Sequence, residues 1–508
     1  VPFLIVALCL LVGMWLGLRW SVGARWRPMR AIPLDFGVML LGWGLVLSLT
    51  ARPLVAALSI SGLAIGLMVV DQVKRAVLRE PVVFADRAEL LELVRHPRLY
   101  LPFAGTGRVV CGAALIVGGF VGLLLLEPPL WPLTPLPPIL GIVLVLAAFM
   151  LPGRTRLLPR LAQLYETMAP TRDPAGDAAR FGLLGGFVVH ATLARAERAG
   201  RQSGLAPQPR SRNRQAPSTE RGTIVLVQSE SFFDVTRLHP AFAGTVLPNY
   251  VACRDSAMLA GRLAVPCWGA NTVRSEFAVL TGIDEARLGL DRFNPYAAFA
   301  RTPLESLAWR AKAAGWRTVC VHPFDLSFYG RTKVLPHLGF DTLIGPAAFT
   351  QAARGGVYVA DVALAERVAA ELEQTSGGLL VFAITMEGHG PWDSGAERLA
   401  LPPALADVAE GAALSRYLFR QRAADQALPI LTQALQRRSG QPGAGRGVLA
   451  FYGDHQPSLP KAFSALGFDD LRTDYFIWRS DGLGAGERRD IEAVALGAAV
   501  ATEAGLAE

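Results

Sequence analysis

The chain has 508 residues, 52% of them apolar, a formal net charge of +8 and a mean hydropathy of +0.33. That length allows more than one domain, and the hydropathy is too high for an ordinary soluble protein. The positive charge does not indicate nucleic acid: the basic residues are scattered or sit beside apolar runs, where Lys and Arg meet lipid head groups, and no basic patch carries interleaved aromatics.

Five apolar runs occupy the first third, at residues 2–18, 32–49, 54–70, 109–126 and 137–151. The first four reach the roughly 17 residues that a helix needs to cross about 30 Å of hydrocarbon, and the fifth is slightly short. Runs so nearly free of charge argue membrane spans rather than buried core helices. The first has no charged segment before it and no small-residue cleavage site, so it reads as a span and not a removed signal peptide.

The loop charges bear on orientation. Arg19, Arg25, Arg27 and Arg30 follow the first run, and Lys74, Arg75, Arg79, Arg87, Arg95 and Arg98 follow the third, whereas residues 127–136 carry no basic side chain. Taken alone, the positive-inside rule places the basic loops, and with them the C-terminal part, in the cytoplasm. The third loop also carries Asp71, Glu80, Asp86, Glu89 and Glu92, and its stretch 87–101 reads as a helix lying on the membrane surface.

Residues 179–199 are apolar and then basic, the pattern of an interfacial helix. Residues 200–221, rich in Arg, Pro, Ser, Gln and Gly, form a flexible tether. Beyond it, short apolar runs at 223–227, 317–321, 379–384, 447–452 and 475–478 alternate with helical patterns at 304–314, 362–373 and 414–438. That alternation predicts an α/β domain with a largely parallel central sheet. The expected order is a helical transmembrane domain of about five helices (1–152), a juxtamembrane segment (153–199), the tether (200–221) and the α/β domain (222–508).

Cys9 and Cys111 lie in apolar runs, and Cys253, Cys267 and Cys320 are too few for a disulfide framework or a metal cluster. A Cys253–Cys267 bridge and buried free thiols both stay open. Only four basic residues are Lys, which with abundant Ala, Gly, Leu and Pro reads as a GC-rich bacterial genome.

Active groups of open α/β sheets gather where strands end. The first run leads into Gln228-Ser229-Glu230-Ser231, a middle one into Thr385-Met386-Glu387-Gly388-His389, and a late one into Gly453-Asp454-His455. Between the first two lies Gly269-Ala270-Asn271-Thr272-Val273-Arg274-Ser275-Glu276, a turn followed by a helix start. Asn271 or Thr272 would serve as N-cap there, with Glu276 supporting the first turn. A hydroxyl in that position also feels the positive end of the helix dipole, which suits an alkoxide attacking phosphate. On these residues alone, cap and nucleophile are equally good readings of Thr272.

Taken together, Ser229-Glu230-Ser231, Asn271-Thr272-x-x-Ser275-Glu276-Phe277 with Leu280-Thr281-Gly282, Phe328-Tyr329-Gly330-Arg331, Gly388-His389-Gly390-Pro391 and Gly453-Asp454-His455 resemble the lipoteichoic-acid synthase and phosphoglycerol transferase group. These are membrane members of the alkaline-phosphatase and sulfatase superfamily, and the resemblance covers essentially the whole chain. It implies an alkaline-phosphatase/sulfatase-like fold in which Glu230, Thr272, Asp454 and His455 bind one divalent cation, manganese first, with magnesium or zinc as alternatives. Thr272 would be the nucleophile of a covalent phospho-threonine intermediate. Arg331 would grip the phosphoryl oxygens, Tyr329 would pack on the glycerol, and His389 would stabilise the phosphoryl group or protonate the leaving alcohol. His322 would join the same pocket or shape the loop that carries Tyr329 and Arg331.

Cys267 is followed by Trp268 and Gly269, not by the C/S-x-P-x-R pattern that sulfatases mature to formylglycine, which argues against sulfate-ester hydrolysis. The resemblance implies a bacterial inner-membrane protein with its catalytic domain on the periplasmic or outer face, against the reading of the loop charges. It implies phosphatidylglycerol as donor and a surface glycan, periplasmic glucan or polyglycerol-phosphate chain as acceptor. Phosphoethanolamine transfer, phosphodiester hydrolysis and a catalytically dead membrane scaffold are the alternatives.

Overall fold

The computed structural model describes residues 2–25, 29–97, 105–132, 134, 136–154, 157–201, 221–393, 395–482 and 486–506. Nearly all of the expected tether, and the end of the expected surface helix at 87–101, lie outside the described residues. The chain divides into two compact units, Val1–Ser203 with Gly289–Phe293, and Gly204–Leu288 with Asn294–Glu508.

Among the described residues of the first unit, four helices are long and apolar enough to cross a membrane: Pro2–Ser21, Met29–Thr50, Pro53–Leu78 and Thr106–Leu126. A helix at Leu136–Arg154 coincides with the fifth apolar run. Proline opens the helix Pro53–Leu78, where its missing N–H costs nothing. The Glu127 carboxylate then accepts the N–H groups of Leu54 and Val55 at 2.9 Å each, capping that helix from a distant part of the chain. Asp35, fully buried in the second span, accepts Trp15 Nε1 and Arg19 Nη1 at 2.9 Å and the Gly185 N–H at 3.0 Å. One carboxylate thus joins two spans to the helix Leu183–Arg201, which covers most of the segment expected to lie at the interface. Asp291, in the short segment Gly289–Phe293, accepts Arg198 Nε at 2.9 Å and Arg201 Nη2 at 2.8 Å.

The second unit is the α/β domain. Its strands are β1 Arg221–Ser229, β2 Leu259–Ala264, β3 Arg317–Val321, β4 Thr342–Ile344, β5 Arg354–Gly355, β6 Tyr358–Val359, β7 Leu379–Ile384, β8 Ala444–Gly453, β9 Thr473–Arg479, β10 Glu487–Arg488 and β11 Ile491–Glu492. The main sheet runs β10-β2-β9-β8-β1-β7-β3-β4, with β11 also on β2, while β5 and β6 form a separate hairpin. Pairing is parallel throughout the main sheet except where β9 meets β2 and β8. All five apolar runs expected to be strands lie in this sheet.

Side-chain alternation along β1 builds a core on each face. Val225 and Val227 pack toward the helices Asp361–Gln374 and Ala427–Ser439. Ile224 and Leu226 pack toward Thr272–Thr281 and Ala493–Glu503. At about 1.5–3 kcal/mol for each large apolar side chain fully buried, these two faces hold the sheet rigid beneath its strand ends. The helical pattern at 414–438 is two helices, Gly411–Asp425 and Ala427–Ser439. None of the five cysteines is in a disulfide; Cys253, Cys267 and Cys320 are buried thiols.

Candidate active site

The C-terminal ends of β1, β7 and β8 are adjacent in the sheet, so the residues that follow them converge. Glu230, just past β1, donates its N–H to Thr385 Oγ1 beyond β7 at 3.0 Å. The Asp454 N–H reaches back to the Ser229 carbonyl at 3.3 Å. Asp454 Oδ1 accepts the N–H groups of Ser231 and His455 at 2.9 and 2.8 Å. Ser231, in the left-handed region at φ 54°, turns its hydroxyl onto Glu230 Oε1 at 2.8 Å and fixes that carboxylate.

Thr272 is the first residue of its helix. Asn271 precedes it in a left-handed conformation, φ 65°, and its side chain makes no capping bond. Thr272 is therefore not the cap, and its hydroxyl faces the strand ends, 3.4 Å from His455 Nε2. Ser275, one turn on, donates to the Asp454 carbonyl at 2.6 Å and pins the helix to the β8 loop.

Glu230, Asp454 and His455 are all buried, and each offers a ligand atom within 4.8 Å of the others. His455 Nε2 is 3.6 Å from Glu230 Oε1 and 3.4 Å from Asp454 Oδ2. Asp454 Oδ2 is buried without a hydrogen bond. Burial, and next the charge of Glu230, push the Asp454 carboxyl above its ordinary range. Burial alone would lower His455, but the charges of Asp454 and Glu230 outweigh it and raise the imidazole. Two carboxylates this close in a dry site call for a proton or a cation, and a buried carboxylate oxygen without a hydrogen bond, beside an imidazole and a hydroxyl, is a donor set that fits a divalent metal ion.

The three histidines at these strand ends share one arrangement. Nδ1 faces a main-chain carbonyl in each: Gln456 O at 2.9 Å for His455, Gly390 O at 2.5 Å for His389 and Ile384 O at 3.1 Å for His322. A carbonyl only accepts, so Nδ1 carries the hydrogen and Nε2 of each neutral ring holds a lone pair. For His455 that lone pair points at the carboxylates and Thr272, as a metal ligand requires.

His322 Nε2 receives Arg331 Nη1 at 3.4 Å, and burial together with the Arg331 charge holds the imidazole well below its ordinary pKa. Arg331 lies fully buried on Glu276, with Nη2 2.9 Å from Oε2 and Nε 3.2 Å from Oε1. Tyr296 donates its hydroxyl to Glu276 Oε1 at 2.6 Å, and Gln228 Nε2 reaches Oε2 at 3.2 Å. Glu276 thus supports no first turn; it anchors a buried network under the Thr272 helix. The Arg331 guanidinium carbon lies 5.5 Å from the centre of the Tyr329 ring.

Of the eight residues singled out in the sequence, Glu230, Thr272, Asp454 and His455 come together directly. His322, Arg331 and Tyr329 form a second group, joined to Thr272 through Glu276, and His389 stands on the loop after β7. Four neighbours were not read as site residues. Ser231 orients Glu230, and Tyr358 bonds His389. Glu387 accepts the Asp361 N–H at 2.8 Å while Asp361 Oδ1 accepts the Glu387 N–H at 3.2 Å, tying the β7 loop to the helix Asp361–Gln374.

These features define an α/β domain that follows helices of membrane-crossing length and carries a buried carboxylate–imidazole group able to hold a divalent metal ion beside a hydroxyl. The Sulfatase family profile matches residues 222–505. The chain belongs to the Sulfatase family, within the alkaline phosphatase superfamily.

Among curated proteins, it is 37% identical over 262 residues to the capsular polysaccharide biosynthesis protein RkpI of Rhizobium meliloti (strain 1021), a match covering 50% of this chain and 44% of that one. A second protein of that strain carries the provisional name cyclic beta-1,2-glucan modification protein; it is 28% identical over 257 residues, covering 50% of this chain and 39% of its own. The chain spans less than half the length of these curated relatives. Among solved structures, the integral membrane lipooligosaccharide phosphoethanolamine transferase A of Neisseria meningitidis aligns over 88% of this chain and 86% of its own, with a TM-score of 0.51 and 14% identity. That likeness shows the fold, helical part included.

Proposed function

We propose that this protein transfers a phosphoglycerol head group from phosphatidylglycerol to a hydroxyl of a periplasmic or cell-surface glycan, through a phospho-threonine at Thr272. The observation that carries the reading is the Thr272 hydroxyl at an uncapped helix start, 3.4 Å from the imidazole of a buried Glu230–Asp454–His455 cluster. The polysaccharide and glucan named for the two curated relatives support a glycan acceptor over a polyglycerol-phosphate chain.

Glu230, Asp454, His455 and Thr272 would hold the divalent cation, manganese first, which would supply the Lewis acidity that lowers the pKa of the Thr272 hydroxyl. The chain's own residues do the rest. Thr272 Oγ1 forms the bond to phosphorus as the bond to the lipid alcohol breaks, and the helix N–H groups behind it stabilise the phosphoryl oxygens. Arg331 braces the Thr272 helix through its ion pair with Glu276, Tyr329 flanks the glycerol, His322 holds their loop, and His389 handles the proton of the alcohols.

In this reading five helices span the bacterial inner membrane, the tether follows, and the catalytic domain lies outside, where lipid donor and glycan acceptor meet. The basic loops after the first and third spans point the other way, and paired reporter fusions at the C-terminus decide between the two. For the chemistry, the purified full chain is incubated with phosphatidylglycerol or phosphatidylethanolamine labelled in the head group. A glycerophospho adduct on the peptide containing Thr272, absent from Thr272→Ala, is expected. An ethanolamine adduct instead reassigns the donor; normal turnover by Thr272→Ala removes the covalent step.

A further inference from the structure

The hairpin β5–β6 and the loop carrying His389 are fastened together at three points. Tyr358, buried, places its hydroxyl 3.2 Å from His389 Nδ1 and donates to Gly390 O at 3.3 Å, its ring centre 5.4 Å from the imidazole. Gly355 lies against the Glu387 carboxylate so closely that any side chain there would collide with it. Gly356, at φ +71°, leaves room for the Arg420 guanidinium, whose Nη1 donates to the His389 carbonyl at 3.1 Å. The hairpin thus grips residues on both sides of His389 as well as the ring itself.

We propose that Tyr358 is a positioning residue that holds His389 with Nδ1–H turned to the main chain, so that Nε2 is the single atom through which the site gives and takes a proton. The inference rests on the transfer reading above. Nδ1 already carries its hydrogen toward Gly390 O, and the Tyr358 hydroxyl donates to that same carbonyl while flanking Nδ1. Burial, and next the charge of Glu230, push the Tyr358 phenol up, so it remains a hydroxyl donor across the working pH range. Among the described residues no hydrogen bond engages His389 Nε2.

The proton balance follows. In the first half-reaction the Thr272 alkoxide bonds to phosphorus, the bond from phosphorus to the lipid alcohol breaks, and Nε2–H of the imidazolium gives its proton to the departing oxygen. In the second, the acceptor hydroxyl oxygen bonds to phosphorus, its proton passes to the Nε2 lone pair, and Thr272 leaves as the alkoxide it was. One proton enters and leaves at Nε2, while the Nδ1 hydrogen never moves. Without the Tyr358 hydroxyl only the Gly390 carbonyl holds Nδ1–H, the ring is less firmly fixed in orientation and tautomer, and both half-reactions slow while substrate contacts persist.

The test uses the full chain in detergent with manganese, head-group-labelled phosphatidylglycerol and a glucan acceptor. It compares wild type, Tyr358→Phe, His389→Gln and the double variant. Tyr358→Phe keeps the ring packed and removes only the hydroxyl. Its kcat is expected to fall about tenfold or more, with KM for the lipid within about twofold and the Thr272 adduct longer-lived in the presence of acceptor. In the His389→Gln background the same change should have no further effect, whereas a folding defect would lower both backgrounds alike. Wild-type kcat in Tyr358→Phe, or a loss that persists in the double variant, overturns the inference alone. A wild-type chain that forms no adduct on Thr272 overturns the transfer reading and the inference with it.

Discussion

Arg331 and Glu276 form a bidentate ion pair with side chains 3% and 0% exposed, one helical turn beyond Thr272. The pair is satisfied on all sides by Tyr296, Gln228 and His322. Removing one member of such a pair leaves an uncompensated buried charge, at a cost of about 3–5 kcal/mol. Arg331→Ala is therefore expected to lower the melting temperature of the catalytic domain as well as its activity. A residue that only gripped phosphate would lose activity at constant melting temperature, so thermal unfolding beside the rate assay separates the two roles.

Asp454→Asn tests the cation site. Asn keeps an oxygen for the Ser231 and His455 N–H groups, so the β8 loop should stay in place. What disappears is the negative charge of the ligand, and a divalent ion should be lost from most of the protein. Metal content of both purified proteins after dialysis against a limiting manganese buffer measures this; equal occupancy would remove Asp454 from the ligand set.

The buried acid pair Asp361–Glu387 makes stability depend on pH. Burial, and next the Glu387 charge, push Asp361 up to about 8, and burial also raises Glu387. An acid with a raised folded-state pKa binds its proton more tightly when folded. Its stabilisation is therefore complete below the ordinary carboxylate value, about 4, and is lost as pH climbs through the folded value. The melting temperature of the wild-type domain should decline between about pH 4 and pH 8, and Asp361→Asn should flatten that decline. A parallel pH profile in the variant would show that the pair does not carry the effect.

Much of this was legible in the sequence where local pattern and physics coincide. Apolar runs of membrane length became helices, and runs such as 379–384, buried on both faces, became central parallel strands. Glu230, Asp454 and His455 follow strand ends and Thr272 opens a helix, but local pattern alone left Thr272 as good a cap as a nucleophile; the grouping of the four came from the family resemblance. β2 escaped because Gly261 and Arg262 interrupt its apolar pattern. Gly261 is there because the Arg489 carbonyl packs where a side chain would be, a contact 228 positions away in sequence between neighbours of the pair Arg262 and Asp490. The division at Gln426 does have a local signal, which the reading of 414–438 as one helical pattern passes over: Pro429 lacks the N–H that would bond the Asp425 carbonyl, so the first helix ends there and the proline sits in the first turn of the second. Glu276 read as helix support because its true partners, Arg331 and Tyr296, are brought to it only by tertiary packing. Tyr358 had no signal, since its two-residue strand is too short to show a period.

Asp35 is the charge that the apolar second span conceals, and its partners argue that it holds helices together and marks no transport path. It accepts from Trp15 and Arg19 on the first span and from the Gly185 N–H on the helix Leu183–Arg201, with no exposure of its own. Asp35→Leu would leave the Arg19 guanidinium, itself 3% exposed, without its carboxylate and the Gly185 N–H without its acceptor. The expected cost, about 3–5 kcal/mol, should appear as a lower melting temperature and poorer recovery of the full chain in detergent. Arg19→Met in the same chain removes the stranded charge, so the double variant should recover part of that loss, and the recovery measures the coupling between the two residues. Asp35→Asn, which can still accept from Trp15 and Gly185, should fall between wild type and Asp35→Leu. If Asp35→Leu melts like wild type, the carboxylate is not what joins the three helices, and its burial needs another cause.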